Sequence, residues 1–183
     1  MDILVVYVHS RWLVYESELY YSRVVRIGVI SDTHGILHPR VSEFFREVDS
    51  ILHAGDIGDA GVLRQLESMA PVHAISGNAD APPLATLPRE RVVVLAGKKI
   101  LLCHRALEKV RILPEVLRTL KSEQADAVVF GHSHIPFSGF LNGIFFFNPG
   151  GGGRKRFTLP RAVGILTLEE GEDVQGRHYY LDR

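Results

Sequence analysis

The sequence predicts an α/β fold: two mixed β-sheets packed face to face, with helices on the outer faces. Three observations predict it. From residue 26 to about 76, continuous apolar runs alternate with amphipathic stretches, the pattern of parallel strands covered on both faces. From residue 91 the runs are shorter and follow one another across Gly-, Asn- and Asp-containing turns, the pattern of antiparallel additions. The 183 residues suffice for one full core and show no internal repeat or long linker.

Each element follows from local pattern. RIGVIS (26–31) reads as a buried strand, and Val41, Phe44, Phe45 and Val48 follow the i, i+3, i+4, i+7 spacing of a helix. ILHAG (51–55) is a second strand, Val62, Leu63, Leu66 and Met69 mark a second helix, and VHAIS (72–76) is a third strand. That order implies parallel strands joined by right-handed crossovers. RVVVLA (91–96) and KKILLCH (98–104) read as hairpin partners across Gly97. Leu113, Val116, Leu117 and Leu120 give a third helix with Pro114 in its first turn. DAVVFGHSH (126–134) returns to a buried strand, and GFL, GIFFF, AVGILTL and GRHYYL close the chain as short antiparallel strands.

Composition narrows the function classes. The 21 basic and 21 acidic residues balance, so the whole molecule offers no electrostatic footprint for nucleic acid or an acidic membrane. No apolar stretch reaches the roughly 18 residues of a transmembrane helix. The N-terminal run follows Asp2 rather than basic residues and precedes no small-residue cleavage site, so it is not read as a secretion signal. A single cysteine, Cys103, excludes an intramolecular disulfide and makes a reducing, cytoplasmic setting the default.

The chemistry gathers at strand ends, where open α/β sheets place functional groups. The runs finish in SDTH (31–34), GD (55–56), GN (77–78), CH (103–104) and GHSH (131–134). One such ending is most simply a cap or turn. Five in one domain bring Asp32, His34, Asp56, Asn78, His104, His132 and His134 together as candidate metal ligands. In an extended segment, Asp32-x-His34 and His132-x-His134 each aim both side chains at one ion, and a turn at the second pair directs them at two. Imidazole with carboxylate suits Mn, Fe, Ni, Co or Zn rather than Ca or Mg alone. Seven ligands are too many for one ion and suit two that share a carboxylate. The glycines before Asp56, Asn78 and His132 are expected to let the backbone turn sharply.

DTHG, GD, GN-x-D, a later histidine, GHSH and NPGG (148–151) resemble, in this order, the calcineurin-type metallophosphoesterases, above all their small single-domain bacterial and archaeal phosphodiesterases. The resemblance runs from about Arg26 to the C-terminus. It implies the metallophosphoesterase αββα sandwich and two divalent transition-metal ions per chain, manganese first, with Ni, Co, Fe or Zn as alternatives. One ion would take Asp32, His34, Asp56 and His134, and the other Asp56, Asn78, His104 and His132, with Asp56 bridging. Such a pair lowers the pKa of a bridging water, which attacks phosphorus in line, and neutralises charge on the phosphoryl oxygens. The implied substrate is a small phosphate ester, diester before monoester, with self-association left open.

Two positions depart from that family. Where many members have His after the asparagine, and others Cys, this chain has Ala79, so no imidazole there can protonate a leaving oxygen. In CHRAL (103–107), Arg105 stands where the family commonly has a small residue, either as a phosphate clamp beside the catalytic Asp56 and Asn78 or as a solvated loop arginine. Residues 1–24 precede the resemblance. They are either an upstream extension of a natural start near Val24 or Val25, or an extra strand or helix, with 25–183 as the domain.

The remaining candidates have plainer readings. Cys103 is expected to be a buried strand residue and not a nucleophile, Asp59 a helix N-cap, and Asp80 an orienter of backbone or ligand. Of His9, His38, His53, His73 and His178, His53 either supports a ligand or is a structural strand histidine. Arg154, Lys155, Arg156 and Arg161 lie in a glycine-rich loop whose default is solvated surface. Two rivals to the phosphodiesterase are a scaffold of the same fold and a nuclease. The scaffold would be expected to have lost ligands, and the nuclease would need a basic groove.

Overall fold

The structure is a computed structural model and describes residues 3–8, 11–16 and 24–182. Strands β1 (Ile3–Val8) and β2 (Arg11–Glu16) pair antiparallel with each other and with neither of the larger sheets. The β-prone run ILVVYV is therefore a strand, and among the described residues it extends no other sheet.

The predicted strand–helix alternation follows as β3 (Val25–Ile30), α1 (Val41–Phe44), β4 (Ser50–His53), α2 (Ala60–Glu67) and β5 (Val72–Ala74). After a 3-10 turn at Leu84–Thr86, β6 (Glu90–Leu95) and β7 (Lys98–Cys103) form the expected hairpin. Ala96 and Gly97 both have positive φ there, as a tight two-residue turn matched to strand twist requires. A small ribbon of β8 (Leu107–Glu108) and β9 (Arg111–Ile112) leads to α3 (Pro114–Glu123), with Pro114 in its first turn. Then come β10 (Ala127–Val129), β11 (Phe137–Leu141), β12 (Ile144–Asn148), β13 (Ala162–Leu168) and β14 (Gln175–Tyr180).

These strands make two five-stranded sheets, ordered β14-β13-β3-β4-β5 and β11-β12-β10-β7-β6. Two expectations need correction. The helix read over Val41 to Val48 stops after one turn at Phe44. The chain must turn early because Asp49 is tied to β3, its carboxylate accepting from Arg26 N at 2.8 Å and its own N–H reaching Arg26 O at 2.7 Å. The second half is also not purely antiparallel: β10 runs parallel to both β7 and β12, making β7-α3-β10 another crossover unit.

Period-two geometry explains the continuous apolar runs. In β7, Ile100 and Leu102 face the space between the sheets with Ile27, Val29, Leu52, Val129, Phe147 and Leu166, while Leu101 points outward onto α3. Every strand of this kind has two buried faces, so its residues are apolar without alternation. Ile30, Ile51 and Val163 form the other outer layer against Val41, Phe45, Val62 and Leu66. Complete burial of each such side chain contributes about 1.5–3 kcal/mol. The layers are therefore helix, sheet, sheet, helix, as predicted. No described helix is long and apolar enough to cross a membrane.

Candidate metal centre

β3, β4 and β5 are mutually parallel, as are β7 and β10, and their carboxyl ends meet at one edge of the sandwich. The ladder between β3 and β4 continues past the strands: Asp32 N donates to Gly55 O and His34 N to Asp56 O, both at 3.0 Å. Gly131 N donates to His104 O at 3.0 Å, joining the loops after β7 and β10.

The side chains do not converge by extended alternation. Asp32, His34, Asp56, His132 and His134 have φ of 55°, 47°, 54°, 68° and 58°, all in the left-handed region. Such a residue costs about 1–2 kcal/mol and persists where its surroundings over-determine it. The strand ends thus curl back, and the strain falls on the candidate ligands themselves. Of the three glycines expected to turn, only Gly55 has positive φ. Gly77 is needed for space: a Cβ there would lie 2.8 Å from Asp56 Cγ.

Each buried carboxylate has one oxygen anchored and one presented. Asp56 Oδ1 accepts from Ala79 N at 2.8 Å, whereas Oδ2 stands 3.4 Å from His104 Nε2 and 3.9 Å from His34 Nε2. Asp32 Oδ2 accepts from His132 N at 3.0 Å, whereas Oδ1 stands 3.3 Å from His134 Nε2 and 4.0 Å from His34 Nε2. His34 and His134 stack with their Nε2 atoms 3.3 Å apart. His104 Nδ1–H donates to Ala54 O at 2.7 Å, which leaves Nε2 as a lone pair aimed at Asp56.

This arrangement fits a metal on its own terms. Asp32 Oδ1 and His104 Nε2 are buried without a hydrogen-bond partner, a cost that a cation would remove. Two groups, Asp32 with His34 and His134, and Asp32 with Asp56 and His104, hold ligand atoms within 4.8 Å of one another. Ligand bonds of about 2.0–2.2 Å place neighbouring donors roughly 3–4 Å apart. Asp32 is common to both groups, beside the Asp56 expected to bridge.

Charge is balanced to match. Burial pushes the Asp32 carboxyl up to about 6. Burial also raises Asp56, but the His104 imidazole 3.4 Å away and the hydrogen bond from Ala79 N outweigh it and hold the carboxyl near 2. His134 is lowered to about 4 by burial and then by the guanidinium of Arg156. Lower values keep imidazoles neutral, the form that binds metal. Burial lowers His104 as well, but the Asp56 carboxylate beside its Nε2 and the charge of Asp32 raise it on balance.

The remaining predicted residues fall around this core. His132 is exposed, its ring edge-on to His104 at 5.2 Å, and of the GHSH pair only His134 belongs to either ligand group. Asn78 is exposed in a cleft of about 230 Å³ shared with His104 and Arg105. Asp80 ties the loops together, accepting from Gly58 N and Gly77 N at 2.8 Å. Asp59 caps α2 through Gly61 N. Thr33 donates to Ile57 O, so His53 Nε2–H donates to Thr33 Oγ1 at 3.0 Å, leaving its buried Nδ1 unpaired. His53 is therefore a support of the Asp32–His34 segment rather than a ligand. Cys103 is buried, its thiol pushed up to about 12 by burial. His38 and His73 lie outside both groups, and His9 lies outside the described residues.

Two supports were understated by pattern alone. Asn148 of NPGG donates to Gly131 O at 2.8 Å and to Ser133 Oγ at 3.1 Å and accepts from Gly150 N, so it braces the GHSH loop. His178 donates to Asn148 O at 2.8 Å and stacks on Phe147. The glycine-rich loop is more than solvated surface: Gly152 N donates to Ser31 O, and the charge of Arg156 depresses His34, His132 and His134.

The profile of the calcineurin-like phosphoesterase superfamily domain matches residues 25–171. A probable metallophosphoesterase of Methanothermobacter thermautotrophicus is 37% identical over 151 residues, 78% of this chain and 86% of that one. Among solved structures, an archaeal phosphodiesterase superposes with a TM-score of 0.67 at 23% identity, covering 85% of this chain and 99% of its own. Entamoeba histolytica Vps29, solved with zinc, superposes with a TM-score of 0.64 at 20% identity, covering 86% and 99%.

Proposed function

The chain belongs to the calcineurin-like phosphoesterase superfamily, and from that premise we propose that it hydrolyses phosphodiesters at a two-ion centre. The observation that carries the reading is the pair of ligand groups meeting at Asp32, with unpaired buried donor atoms facing inward. Asp32, His34, Asp56 and His134 would hold one ion, and Asp56, Asn78, His104 and His132 the other. Held there, divalent ions, manganese first among them, would supply Lewis-acid chemistry for phosphate-ester hydrolysis.

The chain's own residues supply positioning. Asp56 is fixed by Ala79 N, Asp32 by His132 N, and His104 by Ala54 O, so three ligands are oriented before any ion arrives. Arg105 and Arg156 bring positive charge to the mouth, where an anionic ester is attracted. Ala79 offers a methyl and no proton. The two guanidiniums cannot act as acids, so the leaving oxygen departs without help from a general acid. Activated aryl diesters are the favoured substrates for that reason.

The test is reconstitution. Metal-stripped protein is given Mn, Ni, Co, Zn or Mg singly and assayed on bis(p-nitrophenyl) phosphate and on p-nitrophenyl phosphate. Metal-dependent cleavage of the diester ahead of the monoester, abolished by Asp56→Asn, is the expected result. A second reading, a metal-binding scaffold, draws on the fold shared with Vps29 and on the absent acid at Ala79. Bound metal with no turnover of either ester favours it.

A further inference from the structure

Resting on that reading, we propose that the cavity beside His132 receives one apolar, ring-bearing arm of the phosphodiester. The cavity measures about 280 Å³ and lies between the loop after β7 and the segment from Phe130 to Phe137. Leu107, Phe130, Pro136 and Phe137 give it apolar walls, and Ile135, half exposed, stands at its edge. Phe130 and Phe137 pack tilted at 6.1 Å between centroids, so the cavity presents aromatic faces and edges.

Three features decide the occupant. The first is continuity: His132 lines the cavity and its ring meets His104, so a group held here is attached to a phosphorus at the centre. The second is charge. Arg105 and Lys109 border the cavity and no carboxylate does, which suits an apolar group carried by an anion. The third is size. An apolar cavity of about 150 Å³ holds a benzene, so this one takes a substituted or fused ring but is too small for a protein segment of several side chains.

The cleft on the other side of Arg105 is different in character. At about 230 Å³ it has Val116 and Cys103 among its walls but is also lined by Asn78, Arg89, Glu90 and Glu115, so it offers charged and hydrogen-bonding groups that the first cavity lacks. The two clefts flank the same centre, so the preferred diester has unlike arms, one apolar and one polar.

Calorimetry on the full-length, Mn-loaded protein tests the assignment without requiring turnover. Methylphosphonate and 2-naphthylphosphonate share the anionic head and differ only in the arm. The naphthyl ligand is expected to bind at least tenfold tighter, within the roughly 10–200-fold range of one apolar group in a fitted pocket. Ile135→Asp, at a half-exposed position, should bring the ratio to within about threefold, and Phe137→Ala should lower it as well. Equal affinities, or an unchanged ratio in Ile135→Asp, overturn the pocket while leaving the phosphoesterase reading in place. Binding of neither ligand overturns that reading and the pocket with it. A dimer dispersed by Ile135→Asp, with equal affinities, would reassign this face to self-association.

Discussion

Gly77→Ala is a one-methyl perturbation aimed at the Asp56 carboxylate. The backbone at Gly77 is not in the left-handed region, so alanine meets no conformational penalty there. Its Cβ, however, would stand 2.8 Å from Asp56 Cγ and nearer still to Oδ1, whereas ordinary contact begins at 3.4 Å. The Asp56 backbone nitrogen lies nearer that Cβ than Cγ does, so the residue must move as a whole: the carboxylate retreats by at least 0.6 Å, and relief of the backbone and Oδ1 contacts brings the shift to roughly 1 Å. A misplacement of about 1 Å costs on the order of 10²-fold in rate. It also draws Oδ2 away from His104 and His34, to which it stands at 3.4 and 3.9 Å. The expected outcome is a folded protein with weakened binding of one ion and kcat/KM for an aryl diester down about 10²-fold. Gly97→Ala is the control: it meets open space at positive φ and should cost about 1–2 kcal/mol of stability with metal binding retained. Metal content by mass spectrometry, circular dichroism and initial rates provide the readouts. Wild-type metal affinity and turnover in a folded Gly77→Ala would refute the placement of Asp56 in the centre.

Other outcomes follow from the same geometry. Asn148→Ala removes three hydrogen bonds around the GHSH loop, two of them buried, and should destabilise the protein by about 2–4 kcal/mol, read by chemical denaturation. A loss below 0.5 kcal/mol would contradict the bracing role. With Ala79 in place of an acid, rates over a series of aryl diesters should fall steeply as the leaving-group pKa rises, and a flat series would show that some other group donates the proton. His53 is held neutral by burial, its pKa lowered from 6.5 to about 4. The unfolded chain therefore binds the extra proton first, and stability present above about 6.5 is lost as pH falls toward 4. The loss from His53 is at most about 3 kcal/mol. Asp32, raised to about 6, opposes it over part of that range. Thermal melts at pH 7 and 4.5 should show a smaller difference in His53→Gln than in the parent protein, and an equal difference would remove His53 from the account.

The parts of the site legible in sequence are those dictated by residue chemistry. One strand that ends on Asp, Asn or His is ordinary cap or turn chemistry, but five such endings in one domain stand out as a cluster in the sequence. The layers were legible because both faces of β3, β4, β7 and β10 are covered, which writes itself as unbroken apolar runs. What pattern could not supply was the local backbone. Left-handed Asp32, His34, Asp56 and His132 make hydrogen bonds with residues far along the chain, which extended alternation does not foresee. Likewise α1 ends early because Asp49 must pair with β3, a constraint twenty-three residues away. The parallel register of β10 was hidden because a three-residue strand carries almost no periodicity. Arg156 reads as a loop charge in sequence. Only the packing of Gly152 on Ser31 brings it beside the imidazoles.

The most direct test of the two-ion phosphodiesterase is a titration of stripped protein with Mn²⁺, recording ions bound per chain and the rate of bis(p-nitrophenyl) phosphate cleavage in the same samples. Two ions per chain are expected, with full activity reached only as the second is filled. Activity complete at one ion, or two ions bound with no cleavage, would contradict the two-ion phosphodiesterase.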